Sequence, residues 1–380
     1  MGQGGKRTPG VPAGALLLRS SEVPPSMTES FILSGYRCPG YSFAQCLASA
    51  FRPTNETGNF WTHFLAVFVF AFHFLEPFWG QEGSQGPMAQ RGPTDPFFYP
   101  LWNYFLGVCS LLVASSMAHL FNSMSLVIRE ICFYIDYGTI SAYTVGSSLA
   151  YFYYIYPPGT KKTPHALPTL GPANLSSGLW PGPAEGSGWL SATLVGHPGS
   201  WFESLYVPST CLIALFCTLA CCSTRRQWPR YRYLIRTLVF LLPFLVVSLP
   251  VFEKLWHMGG SGGSGDQGTG RFFLRHCFWL LASGIFNISK IPERFSPGKF
   301  DIWGHSHQWF HCCTFMSILD ELHMIRGEIR ELGGGLPRAP TFLSTFGVML
   351  FLMALVASIV GWFGVKAYES HQRSLAKKAN

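Results

Sequence analysis

Charge is scarce in this chain. Asp, Glu, Lys and Arg make up 12% of its 380 residues, about half the ~25% usual for a soluble globular domain. So low a share, with so much apolar residue beside it, excludes a disordered chain, a charged coiled coil and an ordinary soluble enzyme. Acidic residues are fewer than basic ones, 19 against 27, for a formal charge of +8. The Lys and Arg residues lie between apolar runs rather than on one basic face, so nucleic acid is not an expected partner. No secretory leader is read at the N-terminus, because GALLLRS is short and ends at Arg19. Met1-Gly2 is not read as a myristoylation signal, because Lys6 stands where that motif wants Ser or Thr. No internal repeat is evident.

Long apolar runs dominate what is present: 48% of residues are hydrophobic and 16% aromatic. About 20 mostly apolar residues cross a bilayer as a helix. Candidate runs occupy 60–79, 97–121, 131–156, 205–222, 235–252, 272–289, 301–325 and 342–365. The second, third and seventh carry His, Asp, Asn or Ser, which suits helices facing a bundle interior. Backbone amides in lipid must be satisfied within their own segment, so runs of this length predict helices. The expected fold class is an all-α polytopic membrane protein.

Basic residues set the orientation. With a cytosolic N-terminus and eight passes, the inner segments hold most of the 27 Lys and Arg residues, as the positive-inside rule requires. Arg225, Arg226, Arg230, Arg232 and Arg236 fall in the most decisive inner loop, and Lys366, Arg373, Lys377 and Lys378 in the C-terminal tail. The expected organisation is a disordered cytosolic tail at 1–30 and a cytosolic segment at 31–59. A seven-helix core at 60–325, an eighth transmembrane helix at 342–365 and a basic tail at 366–380 follow. Residues 257–270 read as a flexible linker, and the Pro-rich stretch 157–200 as a long outer loop. That loop contains Asn174-Leu175-Ser176, a glycosylation acceptor; Asn55 and Asn287 match the same pattern but fall on the inner side.

None of the 11 cysteines lies in an expected outer loop, so no disulfide framework is expected there. Cys221 and Cys222 end a helix at the inner face, where either packing or palmitoylation fits.

Polar residues inside the helices point to chemistry. His307 and His311 are spaced i, i+4 and share one helix face, a spacing that fits two metal ligands and also arises by chance or by hydrogen bonding. His119 ends the second run, with Ser115 one turn earlier on the same face, and Asp136 opens the third. On the expected topology all of these lie at one membrane depth, near the cytosolic side. Three neutral imidazoles plus one open position is the ligand set of a catalytic-type zinc site; Asp136 would then support the metal or hold its water. His305 points away from His307, and His323 away from His311. Glu56, Asn59 and His63 form a second stripe at the start of the first helix. An inter-helix hydrogen-bond network is the preferred reading of that stripe, with metal binding or proton transfer as the alternative.

Taken together these motifs resemble the progestin and adipoQ receptor family. The resemblance rests on Glu56-Thr57-Gly58-Asn59-Phe60-Trp61-Thr62-His63, on Ser115 to His119, on Asp136, and on Pro292-Glu293-Arg294 leading into His305-Ser306-His307-Gln308-Trp309-Phe310-His311. It covers about residues 30–365, and FILSGYR, FNISKIPERF and the eighth run point to its membrane progestin receptor branch. The resemblance implies seven helices around one zinc ion, an extra C-terminal helix, His119, His307 and His311 as ligands, Asp136 as the water-orienting carboxylate and Ser115 as the neighbouring hydroxyl.

Two functions are implied. One is a plasma-membrane receptor for progestins or neurosteroids, coupled to heterotrimeric G proteins, with Phe133, Tyr134 and Tyr137 as a candidate steroid lining. The other is a zinc-dependent ceramide hydrolase, because alkaline ceramidases share the Ser, Asp and His set. There zinc would lower the pKa of a bound water to about 7, Asp136 would take the proton and Ser115 would stabilise the oxyanion. The receptor is the preferred reading.

Overall fold

The computed structural model describes residues 17–79, 91–156, 198–225, 227, 231–259, 267–333 and 335–379. Asn174 and residues 1–16 lie outside them. Ten α-helices make up most of what is described: α1 (Phe43–Ser49), α2 (Thr57–Trp79), α3 (Tyr99–Phe121), α4 (Leu126–Tyr154), α5 (Pro198–Thr224), α6 (Arg232–Val247), α7 (Leu249–Gly259), α8 (Gln267–Ser289), α9 (Ser306–Glu331) and α10 (Val348–Ala379). No strand occurs among the described residues; a single isolated bridge joins Leu18 to Tyr36.

The eight long runs alternate in direction. α2, α4, α9 and the α6–α7 pair begin at one end of the bundle, and α3, α5, α8 and α10 finish there. For α4 and α10 the opposed directions are seen in side-chain contacts: Tyr153, late in α4, meets Ser344, just before α10, while Tyr134, early in α4, packs on Phe363, midway along α10. Neighbouring pairs α3–α4, α8–α9, α4–α5, α4–α10 and α2–α3 carry the main contacts.

By length and composition, five of these helices suffice to cross a membrane: α2, α3 with its lead-in from Pro96, α5, α8 and α10. A sixth span is the α6–α7 pair, bent by 49°. The break falls at Ser248, two residues before Pro250, which lacks the amide needed to continue the ladder. α4 and α9 are less apolar because their polar residues face inward. On α9, Asp320, Glu321, Arg326 and Glu328 are all buried. Glu321 accepts from the Tyr104 and Tyr143 hydroxyls at 3.2 and 2.5 Å, and Glu328 from Lys254 at 2.6 Å. Paired in this way, ionisable groups can lie within a bundle where lipid exposure would be costly.

α3 and α4 approach through glycine. A Cβ at Gly146 would stand 2.7 Å from the Asn103 carbonyl oxygen, and one at Gly107 2.7 Å from that of Ala142. Small residues at such crossings let two backbones touch.

Several boundaries differ from the sequence expectation. The seventh run was expected from 301, but α9 starts at Ser306. Asp301 is occupied elsewhere, accepting from Leu33 N at 3.0 Å and Ser34 Oγ at 2.7 Å, and Gly304 has a φ of +79°. The third run starts earlier than 131, because Ser125 caps Ile128 N at 3.1 Å and sets the first turn of α4. Residues 17–30, expected within a disordered tail, are folded: Val23, Met27, Ile32 and Tyr36 bury a small apolar cluster, which provides the driving force for order. Of the expected linker 257–270, residues 257–259 end α7 and 267–270 open α8.

Candidate functional site

Four helix ends meet at the end of the bundle where α2, α4 and α9 begin and α3 finishes. His119 sits in the last turn of α3, and His307 and His311 in the first two turns of α9. The start of α9 is fixed by Glu293, which accepts from Ser306 N at 2.7 Å and from the Ser306 hydroxyl. A buried carboxylate at a helix N-terminus satisfies orphan donors and suits the dipole.

The three imidazoles offer ligand atoms that all lie within 4.8 Å of one another. His119 Nε2 and His307 Nε2 are 3.2 Å apart. Two nitrogens on a tetrahedral zinc at 2.0–2.1 Å stand about 3.3 Å apart, so this spacing fits such an ion. Two of the remote nitrogens are anchored elsewhere. His119 Nδ1 is 2.7 Å from Glu56 Oε2. His311 Nδ1 is 3.2 Å from the Asn59 carbonyl and 2.9 Å from the Thr62 hydroxyl. Ligand histidines usually donate their second N–H to a carboxylate or backbone carbonyl, which fixes the tautomer and leaves Nε2 for the metal. The donor set and its anchoring therefore fit zinc.

Glu56, immediately before α2, is the hub of the surrounding network. Its carboxylate also accepts from Asn59 Nδ2 at 2.8 Å and Asn122 Nδ2 at 2.7 Å. Burial would raise its pKa, but His119, Arg129 and Arg37 hold it well below the usual carboxylate range. Arg37 completes the network. Its guanidinium donates to the carbonyls of His119 and Leu120, both at 2.6 Å, and to Asn122 Oδ1 at 2.7 Å. This side chain satisfies carbonyls at the end of α3 that have no intrahelical partner.

His63, expected in the same network as Glu56 and Asn59, takes no part in it. Its ring stacks on His311 with centroids 3.8 Å apart. Neither nitrogen of the His63 ring has a hydrogen-bond partner among the described residues. Ser115 is buried one turn before His119. Asp136 lies on α4 within electrostatic reach of His119, Arg225 and Arg236. His305 caps α9 and faces the Asn55 carbonyl at 3.2 Å; His323 faces Leu319 O within its own helix.

The aromatic residues beside Asp136 are packed. Tyr134 and Tyr137 share a core with Cys221, Cys222 and Phe363. Phe133 lies between the guanidinium groups of Arg129 and Arg225, at 5.2 and 4.4 Å. Cys221 and Cys222 are 1% and 0% exposed, which assigns them to packing rather than lipidation.

Arg37, Asn122 and Glu293 were not singled out as site residues from the sequence. Arg37 reads there as one more inner-side cation. Glu293 was visible only as part of the Pro-Glu-Arg element, a hint that a carboxylate precedes the His-rich helix.

Comparison with known proteins agrees with this architecture. The model of the haemolysin-III-related family matches residues 51–320. Membrane progestin receptor delta of Mus musculus is 32% identical over 361 residues, covering 90% of this chain and 91% of the relative. The human delta receptor is 32% identical over 348 residues, covering 90% and 86%. Membrane progestin receptor gamma of Mus musculus is 28% identical over 95% of this chain and 97% of its own length. Matched by the family model over most of its length and by membrane progestin receptors nearly end to end, this multi-pass, all-helical membrane protein belongs to the haemolysin-III-related family, that of the progestin and adipoQ receptors.

Proposed function

We propose that this chain is a plasma-membrane receptor for a progestin-class steroid, that it holds one zinc ion on His119, His307 and His311, and that it signals through heterotrimeric G proteins. The observation that carries the metal reading is the convergence of three imidazoles, two of which, His119 and His311, have their remote nitrogens anchored by Glu56 and by the Asn59 carbonyl. The receptor reading is supported by the names of the relatives, whose likeness extends through both ends of the matched bundle. Zinc would supply Lewis acidity and a clamp between α3 and α9. In this reading Glu56 holds the His119 tautomer, Arg37 and Glu293 fix the two helix ends, and Ser115, one turn before His119, and Asp136, within electrostatic reach of it, would serve the metal.

The test is saturable binding of radiolabelled progesterone to membranes from cells expressing the chain, compared with cells lacking it, together with steroid-stimulated nucleotide exchange on G proteins. Equal binding in both membranes would reject the receptor reading.

A second reading, zinc-dependent hydrolysis of ceramide, draws on the same residues. Ser115 could donate to a developing oxyanion and Asp136 could accept a proton beside the histidines. Labelled ceramide given to the purified protein would then release sphingosine, and His307→Ala would abolish the release.

A further inference from the structure

A cleft of about 410 Å³ opens between the end of α5 and the last part of α10. Its α10 lining includes Trp362, Phe363, Lys366, Ser370 and Arg373, and one carboxylate, Glu369, lines it as well. It lies away from the three histidines and takes no part in their network. The α10 residues recur at helical spacing, so one stripe faces α5.

Three observations identify an occupant. First, the uncharged, largely apolar stretch of α10 ends at Val365, directly before Lys366, so the cleft begins at headgroup depth. Trp362, 51% exposed, is the amphipathic ring favoured there. Second, the Lys366 ammonium lies 3.4 Å from the centroid of the Trp362 ring and has no carboxylate partner among the described residues. Arg373, about two turns further on, forms an ion pair among the described residues only with Glu369 of its own helix, at a loose 3.5 Å. Third, the cleft is at the bundle end that carries Arg225, Arg236, Lys290 and the basic tail, the inner side by the charge rule. Basic recesses between helices on that side suit anionic headgroups.

We propose that this cleft binds the headgroup of an anionic phospholipid of the inner leaflet, its phosphate bridging Lys366 and Arg373 and its first acyl carbons lying on Trp362 and Phe363. Ser370 and Gln227 are placed to donate to the remaining phosphate oxygens. The inner-leaflet assignment rests on the proposed topology. The headgroup selectivity does not, and it is measured on purified protein independently of orientation, zinc or steroid.

The test uses the full chain in neutral detergent, titrated with dioctanoyl phosphatidylserine, dioctanoyl phosphatidylcholine and free glycerophosphoserine, with bound lipid counted by native mass spectrometry. The serine lipid is expected to bind tightest. Lys366→Gln and Arg373→Gln should each weaken it about fivefold, the effect of one cation near a charged lipid, and Glu369→Gln should strengthen it. Trp362→Ala should weaken the lipid but not the free headgroup. Equal binding of the choline and serine lipids, or unchanged binding in the Lys366→Gln/Arg373→Gln double variant, would overturn the proposal. Free glycerophosphoserine binding as tightly as the lipid would do so too. All of these side chains but Phe363 lie at the surface or its edge, so failure to fold is not an expected outcome.

Discussion

Arg37 donates a guanidinium nitrogen to the carbonyl oxygen of His119 across 2.6 Å, so a residue of the N-terminal segment holds the backbone of a candidate metal ligand. The same segment is tied through Ser34 to Asp301, in the loop that leads into α9. One stretch of chain thus links the two helix ends that carry the three histidines.

Replacing Arg37 should therefore disturb both stability and metal binding. Arg37→Ala leaves the His119 and Leu120 carbonyls and Asn122 without their charged donor. Hydrogen bonds to charged groups contribute about 1.5–3 kcal/mol each and are not additive, so a loss of about 3 kcal/mol is expected. Arg37→Lys should recover only part of it, because an ammonium cannot reproduce the planar fork. Thermal unfolding in detergent, with zinc content measured in parallel, checks both effects. Lysine and arginine forms of equal stability would contradict the role assigned to the fork.

Glu56→Gln tests the anchor behind His119. The amide cannot accept the Nδ1 proton with the strength of a carboxylate, and the ring loses its fixed tautomer. Loss of such a partner usually costs 10–100-fold in metal affinity. Chelator competition on the purified protein should show weaker zinc binding with the fold retained; an unchanged affinity would mean that His119 is oriented by something else.

His311→Ala removes a proposed ligand and also the ring on which His63 stacks. It should empty the site of zinc and lower the unfolding temperature by several degrees, since both the metal clamp and a buried contact are lost. Elemental analysis gives the direct answer. Zinc content equal to that of the parent protein would count against His311 as a ligand.

Local spacing made part of this site readable in the sequence. The His307–His311 pair follows from helical periodicity, and the eight runs and their polarity follow from hydropathy and basic residues. The partners behind the ligands were not readable in the same way, because 63 positions separate Glu56 from His119 and 82 separate Arg37 from it. No short-range pattern records such pairings. The run expected from 301 begins as a helix only at Ser306, because the Asp301 carboxylate is engaged by Leu33 and Ser34, far away in sequence. His63 falls on the same stripe as Glu56 and Asn59, yet a stacking contact with α9 decides where its ring points.

Glycine at the α3–α4 crossing gives a test of packing independent of the metal. Gly146→Ala would press a methyl group against the Asn103 backbone, where the nearest atom is 2.7 Å from the new Cβ and cannot swing aside. Overpacking of this kind costs about 1–3 kcal/mol. Gly361→Ala is the control: it is helical and meets nothing within 4 Å, so a neutral or slightly stabilising effect is expected from propensity alone. Equal unfolding temperatures for the two variants would show that the crossing is looser than the contacts imply.

The alternation of the eight runs makes a prediction about topology. α2 begins, and α10 finishes, at the bundle end that carries the histidines, so the two chain ends belong on one side of the membrane. By the positive-inside rule, the Lys and Arg residues at that end predict a cytosolic location for it. An epitope appended after Asn380 should be stained only in permeabilised cells. Asn174 should carry a glycan on the opposite side, seen as a mobility shift that glycosidase treatment and Asn174→Gln both remove. Staining of intact cells would invert the orientation and place the histidines beneath the outer leaflet. An absent shift combined with staining only after permeabilisation would leave the orientation standing and remove only the glycan. The epitope thus decides the side, and the glycan decides whether the long loop between α4 and α5 is reached by the transferase.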